Sequence, residues 1–393
     1  METPPMAGGV RVERSRRILA IEPYGGGSHL AFLGGWAKHS RHELQCTTLA
    51  ARHWKWRMRS GPLAINQLIA ERDVDSPPPD LVFASEMLDV PTWLGFASRH
   101  PALHGWISSV PLVTYFHENQ WAYPKAPEAR VDHHYAYTNL LSALLSDACW
   151  FNSQFNLETF FRGSAAFLKR MPDSVGAHDL EAARERSKVI PPGFQPPSSH
   201  RRDPDPHHRL VIGWVSRLDH DKRPDRFVDV LNLLLTEGVD FELVLLGQRA
   251  SDDAVSTNLF AAFQDRIRFN GYAETTEEYH RHLSSMDVVV STAEHEFFGI
   301  AMCETIWAGA IPVVPNDLSY PEYVPDRLRF ETLEQAAKII QRLGTEIEQQ
   351  ATQSLLDECR SNIADFQIEF TSHRLDHEVD LLCDGWKEPD QVR

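Results

Sequence analysis

The apolar positions of this chain fall into short continuous runs separated by longer stretches with a helical period. In the first half the runs are "RRILAIEP", "ELQCTTLA", "DLVFAS", "PLVTYF", "ACWFNS" and "KVIPPG". In the second they are "RLVIGWVSRL", "FELVLLG", "IRFNGY", "MDVVVSTA", "AIPVVP" and "LRFE". Runs that are apolar throughout, rather than alternating, predict strands covered on both faces. Intervening stretches such as "RFVDVLNLLLTEG" show the period of a helix packed on a sheet. The pattern predicts an α/β protein with two doubly wound, Rossmann-like parallel sheets.

The same pattern sets the expected boundaries. Residues 1–15 read as a flexible N-terminus, 16–194 as the first domain and 209–365 as the second. Residues 195–208, within "PPGFQPPSSHRRDPDPHH", carry proline, serine and charge that continue neither sheet and predict a linker. The tail from about Thr332 has a helical pattern, and residues 366–393 are expected to form a last helix that crosses back to the first domain. Two such domains leave a cleft where the carboxyl ends of their strands face each other, which is where ligands of this architecture bind.

Charge changes the picture, because it is uneven. The chain carries a formal charge of -16, yet from Arg11 to Arg59 ten Lys and Arg face three acids, a local +7. From Glu331 to Arg393 fourteen acids face six bases, a local -8, which reads as a solvated helical surface. Inside the basic part lies "ARHWKWRMRSG", where Arg52, Lys55 and Arg57 interleave with Trp54 and Trp56. Such a mixture can stack an unpaired base and hold phosphates. A membrane-surface helix and a plain aromatic core with solvated arginines are the competing readings. No apolar h-region opens the chain and no window is apolar enough to span a bilayer, so a cytoplasmic enzyme is expected. The five cysteines are scattered and form no CxxC, which suggests neither a disulfide framework nor a zinc site.

Candidate chemistry sits at strand ends. In "IEPYGGGSHL", Gly26 and Gly27 let the backbone approach a ligand, and a helix starting near Ser28 and His29 would aim its positive end at an anion. A dinucleotide fingerprint is disfavoured, because Leu30 stands where its last glycine would be and the second strand ends in Thr47 and Thr48 rather than a ribose-binding acid; a plain tight turn remains open. In "VSRLDHDKRPD", Arg217 and Lys222 can converge on one anion, or else pair with Asp219 and Asp221. In "STAEHEFFGIAMCET", Glu296 precedes a helix expected to begin near Phe298, Gly299 and Ile300, and Glu304 lies about two turns into it. That arrangement can set an anion site and two carboxylates on one ligand, or else leaves a capping acid and a surface acid. His117 and Asn119, in "YFHENQ", follow a first-domain strand. The pairs Asp73/Asp75, Asp203/Asp205, His133/His134 and His207/His208 read as turn or structural residues, so no metal is expected.

The spacing of Glu296 and Glu304, the Arg217/Lys222 loop and the glycine-rich first turn together resemble retaining glycosyltransferases of the GT-B fold. Within them, "EPYGGGSH", "YFHENQWAYP", "FNSQFN", "STAEHEFFGIAMCET" and "RHWKWRM" are similar to the tRNA-queuosine mannosyltransferase family. The resemblance implies mannosyl transfer from GDP-mannose to the cyclopentene-diol of queuosine in a tRNA anticodon loop, with no cofactor. It implies that Arg217 and Lys222 hold the donor diphosphate and Glu304 the donor ribose. Glu296, with the Phe298 to Ile300 backbone, would hold the sugar and its phosphate, and His117 would face the sugar. Ser28, His29, Asn119 and the Arg52 to Arg57 patch would then serve the acceptor. A glycosyltransferase acting on a lipid, glycan or small molecule, and a non-catalytic RNA-binding protein, are the alternatives.

Overall fold

The computed structural model describes residues 14–71, 77–123, 132–172, 176–197, 209–247, 259–346 and 350–386. The chain opens with β1 (Arg17–Gly25), α1 (Gly27–His39), β2 (Glu43–Ala50), α2 (Trp54–Ala70), β3 (Leu81–Ser85) and α3 (Val90–Ala97). It continues with β4 (Leu112–Phe116), α4 (His134–Leu145), β5 (Ala148–Phe151), α5 (Gln154–Leu168), α6 (Ala177–Glu185) and β6 (Ser187–Val189). These strands form one parallel sheet in the order β2-β1-β3-β4-β5-β6.

The second half begins with β7 (Leu210–Val215), α7 (Pro224–Thr236), β8 (Phe241–Leu246), β9 (Ile267–Gly271), α8 (Thr276–Ser284) and β10 (Val288–Val290). Then come α9 (Ile300–Ala308), β11 (Ile311–Pro315), β12 (Arg329–Phe330), α10 (Leu333–Glu346), α11 (Gln350–Ile363) and α12 (Ile368–Gly385). Its strands form a second parallel sheet, β12-β11-β10-β7-β8-β9. Each of the twelve apolar runs holds one strand.

For the central strands the reason is burial on both faces, while the edge strands β2, β6 and β9 are only partly buried. Every residue of β3 and β4 is buried, and so is all of β7 except Val215. Helix α7 presents Phe227, Val230, Leu231 and Leu234 to the second core, at the three- and four-residue spacing of one helical face. Pro224 opens that helix, where its missing N–H costs nothing.

Two crossings of the chain join the halves side by side. The Phe194 amide donates to the Phe366 carbonyl, and the Ile368 amide donates back to the Phe194 carbonyl, each at 2.9 Å. Helix α12 then lies on α1, adding Leu375 and Val379 to the first core. Its Asp376 is fully buried and accepts from Trp36 Nε1 at 2.8 Å, Ser40 Oγ at 2.6 Å and the Arg41 amide at 2.8 Å. Across the cleft, Glu322 accepts the amides of Gln154 and Phe155 at 2.9 and 2.8 Å, capping the first turn of α5. Among the described residues no helix is long and apolar enough to cross a membrane.

Candidate active-site cleft

Between the two sheets lies a cleft of about 580 Å³, lined by both domains. Its first-domain wall is built from the turns after β1 and β4. A Cβ on Gly26 would fall 2.4 Å from Ala51 Cβ, and Gly27 has φ +53°, so this turn requires glycine at both places. The turn delivers Ser28 and His29, at the start of α1, to the cleft.

His29 is held from behind. Its Nδ1 lies 2.9 Å from a carboxylate oxygen of Glu22, a residue 1% exposed whose other oxygen accepts the Tyr24 amide at 2.7 Å. Burial works against a charge on His29, but Glu22 outweighs it and raises the pKa to about 9. The His117 ring packs against His29 with centroids 4.1 Å apart. Burial and then the neighbouring imidazolium push His117 well below its ordinary value, so it stays neutral. The wall thus pairs an imidazolium with a neutral imidazole. Glu22, His29 and His117 also offer three ligand atoms within 4.8 Å of one another.

Asn119 requires a correction. It is fully buried, and its Nδ2 donates to Asn156 Oδ1 at 2.8 Å and Thr159 Oγ1 at 3.0 Å. Its Oδ1 accepts the Trp121 and Ala122 amides at 3.0 and 3.1 Å. Every polar atom of its side chain is spent on bracing the loop, so it does not contact an acceptor. Its neighbour Glu118, which the motif passed over, faces the cleft instead.

The second-domain wall carries the cations. Strand β7 ends at Val215, and Arg217 follows it, largely exposed and 2.9 Å from Asp219. Lys222 Nζ donates to the His295 carbonyl at 2.7 Å and to Glu296 at 3.1 Å, with Asp221 at 3.5 Å. Burial opposes its charge, but Glu296 and Asp221 prevail and its pKa is raised. Gly299, with φ +88°, turns the chain into α9, which starts at Ile300, two residues later than Phe298. The free amides of that first turn face the cleft beside Lys222. Glu304 accepts from Tyr279 at 2.7 Å, and burial pushes its carboxyl up to about 7.

A second recess of about 540 Å³ adjoins Arg217 and Gly27, lined by Gly247, Tyr272, Thr275 and Tyr279 among others. The sequence alone did not single out these residues. The signal was present, since they follow the carboxyl ends of β8 and β9, but nothing about their residue types marks them.

The basic aromatic patch is the start of α2, not a strand, so Trp54 and Trp56 point apart. Trp56 is 64% exposed, whereas Trp54 packs on Tyr135 at 5.0 Å with Lys55 above its ring at 5.6 Å. Arg57 Nε donates to the Ala50 carbonyl, and Arg52 is exposed. The patch follows β2, whose Ala50 is in register with Gly25, so it flanks the glycine turn at the cleft's end of the sheet. His133 packs against Trp121 and Phe167. Asp73, Asp75, Asp203, Asp205, His207 and His208 lie outside the described residues.

Comparison with known proteins agrees with this architecture. Residues 17–194 match the family described as tRNA-queuosine alpha-mannosyltransferase N-terminal, and residues 198–343 match glycosyl transferases group 1. A Drosophila melanogaster tRNA-queuosine alpha-mannosyltransferase is 32% identical over 330 residues, covering 80% of this chain and 83% of that protein. The chain belongs to the tRNA-queuosine alpha-mannosyltransferase family. A Mycobacterium tuberculosis GDP-mannose-dependent alpha-(1-6)-phosphatidylinositol dimannoside mannosyltransferase is 25% identical over 81% of this chain and 79% of its own length.

Among solved structures, Anabaena Alr3699/HepE in complex with UDP aligns with TM-score 0.67 at 17% identity, covering 93% of this chain and all of that one. The sucrose-phosphate synthase of Thermosynechococcus elongatus aligns with TM-score 0.69 at 14% identity, over 94% of this chain and all of its own. The fold is that of the GT-B glycosyltransferases.

Proposed function

We propose that the protein transfers mannose from GDP-mannose to a hydroxyl of the cyclopentene-diol of queuosine in a tRNA, with retention at the sugar. The observation that carries this reading is the opposition, across one cleft, of Lys222, Arg217 and the α9 N-terminus to His29 and His117. The first group suits a diphosphate, and the second suits hydroxyls.

In the reaction, the bond from the anomeric carbon to the β-phosphate oxygen breaks and GDP leaves. Lys222, Arg217 and the α9 amides stabilise the charge that grows on the phosphate. Glu296 accepts hydrogen bonds from the sugar hydroxyls, Glu304 from the ribose, and neutral His117 faces the sugar. The queuosine hydroxyl attacks from the side the phosphate leaves, and its proton passes to a phosphate oxygen. Held together in one cleft, the two substrates need no further nucleophile. Trp56, Lys55 and Arg52, beside the glycine turn, offer stacking and charge to the anticodon arm.

The test is incubation with GDP-[14C]mannose and tRNA that contains or lacks queuosine. Label is expected on the queuosine tRNA alone, together with a mass shift of one hexose; equal labelling of both, or of neither, refutes the reading.

A further inference from the structure

Queuosine carries a secondary amine on the ring that bears its diol, and such an amine is a cation at neutral pH. Three or four bonds separate its nitrogen from the hydroxyl oxygens, a reach of at most about 5 Å. Whichever hydroxyl attacks, the ammonium enters the cleft with it. Burying that charge without a counter-charge would be costly.

Of the acids that line the cleft, most are already engaged. Asp221 and Glu296 share Lys222 at 3.5 and 3.1 Å, and Glu304 holds the Tyr279 hydroxyl. Behind the wall, Glu22 is committed to His29. Glu118 differs. It lines the cleft beside His117, accepts one bond from the Gln120 amide at 2.9 Å, and has no ion pair within 4 Å among the described residues, the charges of His29, Arg217 and Lys222 acting on it from further off. Burial pushes its carboxyl above the usual range.

A second group points the same way. Glu86 is 2% exposed, accepts the His117 amide at 3.1 Å through one oxygen, and leaves the other oxygen buried with no hydrogen-bond partner. Its carboxyl sits beneath the His117–Glu118 turn, and because burial pushes it up to about 8 it is mostly protonated at neutral pH, which leaves Glu118 as the charged acid on this wall. Among the described residues, Glu118 is thus the one carboxylate on this wall with room for a further cation, beside the His29 imidazolium that Glu22 already neutralises.

We infer that Glu118 is the acceptor-recognition carboxylate, binding the secondary ammonium of queuosine while His29 and His117 face its diol and the donor sugar. The inference rests on the proposed function. It adds discrimination to the diol contact, since the 2′-hydroxyl of an internal ribose and the vicinal diol of the 3′-terminal ribose carry no ammonium beside them.

The experiment measures KM for queuosine tRNA and for GDP-mannose in the wild type and in E118Q. It is repeated with tRNA whose queuosine amine has been acetylated to a neutral amide. E118Q is expected to raise the KM for native tRNA by tenfold or more and to leave the KM for GDP-mannose within twofold. On the acetylated tRNA the wild type is expected to lose its advantage over E118Q. An unchanged KM for native tRNA in E118Q overturns the inference, and so does an equal rise in both KM values. If the wild type transfers no hexose to queuosine tRNA, the proposed function itself has failed, an outcome told apart by the wild-type lane alone. A thermal midpoint of E118Q matching the wild type confirms that the variant is folded, and E118D, which keeps the charge, is expected to recover most of the affinity.

Discussion

Lys222 and Glu296 form an ion pair of 3.1 Å across the mouth of the second sheet, although they are 74 residues apart in sequence. The lysine comes from the loop after β7 and the glutamate from the loop after β10, two strands paired in the sheet. One ammonium thus serves Glu296, Asp221 and the His295 carbonyl together. K222A is expected to lower transfer by at least a hundredfold, the scale for removing one group that stabilises developing charge. It also leaves Asp221 buried without its cation, which should cost about 2 kcal/mol of stability, below the 3–5 of a fully buried pair because Glu296 retains some exposure. Single-turnover kinetics and urea unfolding separate the two effects. A loss of stability with near-normal transfer would show that the pair is structural only.

The Glu22–His29 pair predicts a pH dependence with a definite sign. His29 is raised to about 9 from an ordinary value near 6.5, so the stability it contributes is fully present below about pH 6.5 and lost as pH rises through about 9. Glu86, pushed up to about 8 first by burial, binds a proton more readily in the folded state and acts in the same direction. The thermal midpoint of the wild type should therefore fall between pH 6.5 and pH 9. E22Q removes the charge that holds the imidazolium, so it should lose stability at pH 6.5 and show a flatter profile above it. Parallel profiles for the two proteins would dismiss the pair as the cause.

N119A tests the corrected role of that residue. Removing a buried amide that satisfies four partners should cost about 2–4 kcal/mol, measured by urea unfolding. At a temperature where the variant stays folded, its KM for tRNA should match the wild type. A raised KM without loss of stability would restore Asn119 to the acceptor site.

Asn119 also shows where sequence reading stops. The twelve strands fall on the twelve runs; in the central strands burial on both faces leaves the mark that periodicity detects, whereas the edge strands β2, β6 and β9 are only partly buried. Glu296, Arg217 and Lys222 could be placed at the cleft because they follow the ends of β10 and β7, and Glu304 because it lies on the helix that starts there. In His117-Glu118-Asn119 the segment was legible but not the direction of its side chains: a turn sends neighbours opposite ways, and only the partners Asn156 and Thr159, on α5, decide which one is buried. Tyr279 and Tyr272 escaped for the opposite reason, since a tyrosine after a strand has no feature that separates a ligand contact from packing. Glu22 looked like an ordinary strand residue until α1 folded His29 back over it.

Asp376 predicts that the last helix is part of the first domain's stability. Its carboxylate is fully buried and collects three donors from the end of α1 and the residues after it. D376A strands the Trp36 indole and the Arg41 amide, and should cost about 3–5 kcal/mol. D376N keeps the volume but replaces one acceptor by a donor, and should recover only part of it. Midpoints equal to the wild type would mean that α12 is not anchored at this point.

The start of α2 runs against the electrostatics of its own helix, and that argues for a binding role. Cations are unfavourable near a helix N-terminus, yet Lys55 and Arg57 fall in its first turns with no acid among them. Trp56 is left 64% exposed, which burial cannot explain. W56A should therefore change stability by less than about 0.5 kcal/mol, as surface substitutions do. If Trp56 stacks on an unpaired base, its removal takes away about 1–3 kcal/mol, so the Kd for queuosine tRNA should rise about tenfold. K55A and R52A should each lower the log-log salt slope of tRNA binding by about one unit for every phosphate that the missing cation had neutralised, while the KM for GDP-mannose stays constant. Fluorescence anisotropy at several salt concentrations gives the tRNA affinity and its salt slope. Slopes identical to the wild type would place the RNA phosphates on another face, and a tRNA affinity unchanged in W56A would leave the exposed indole without a base to stack on.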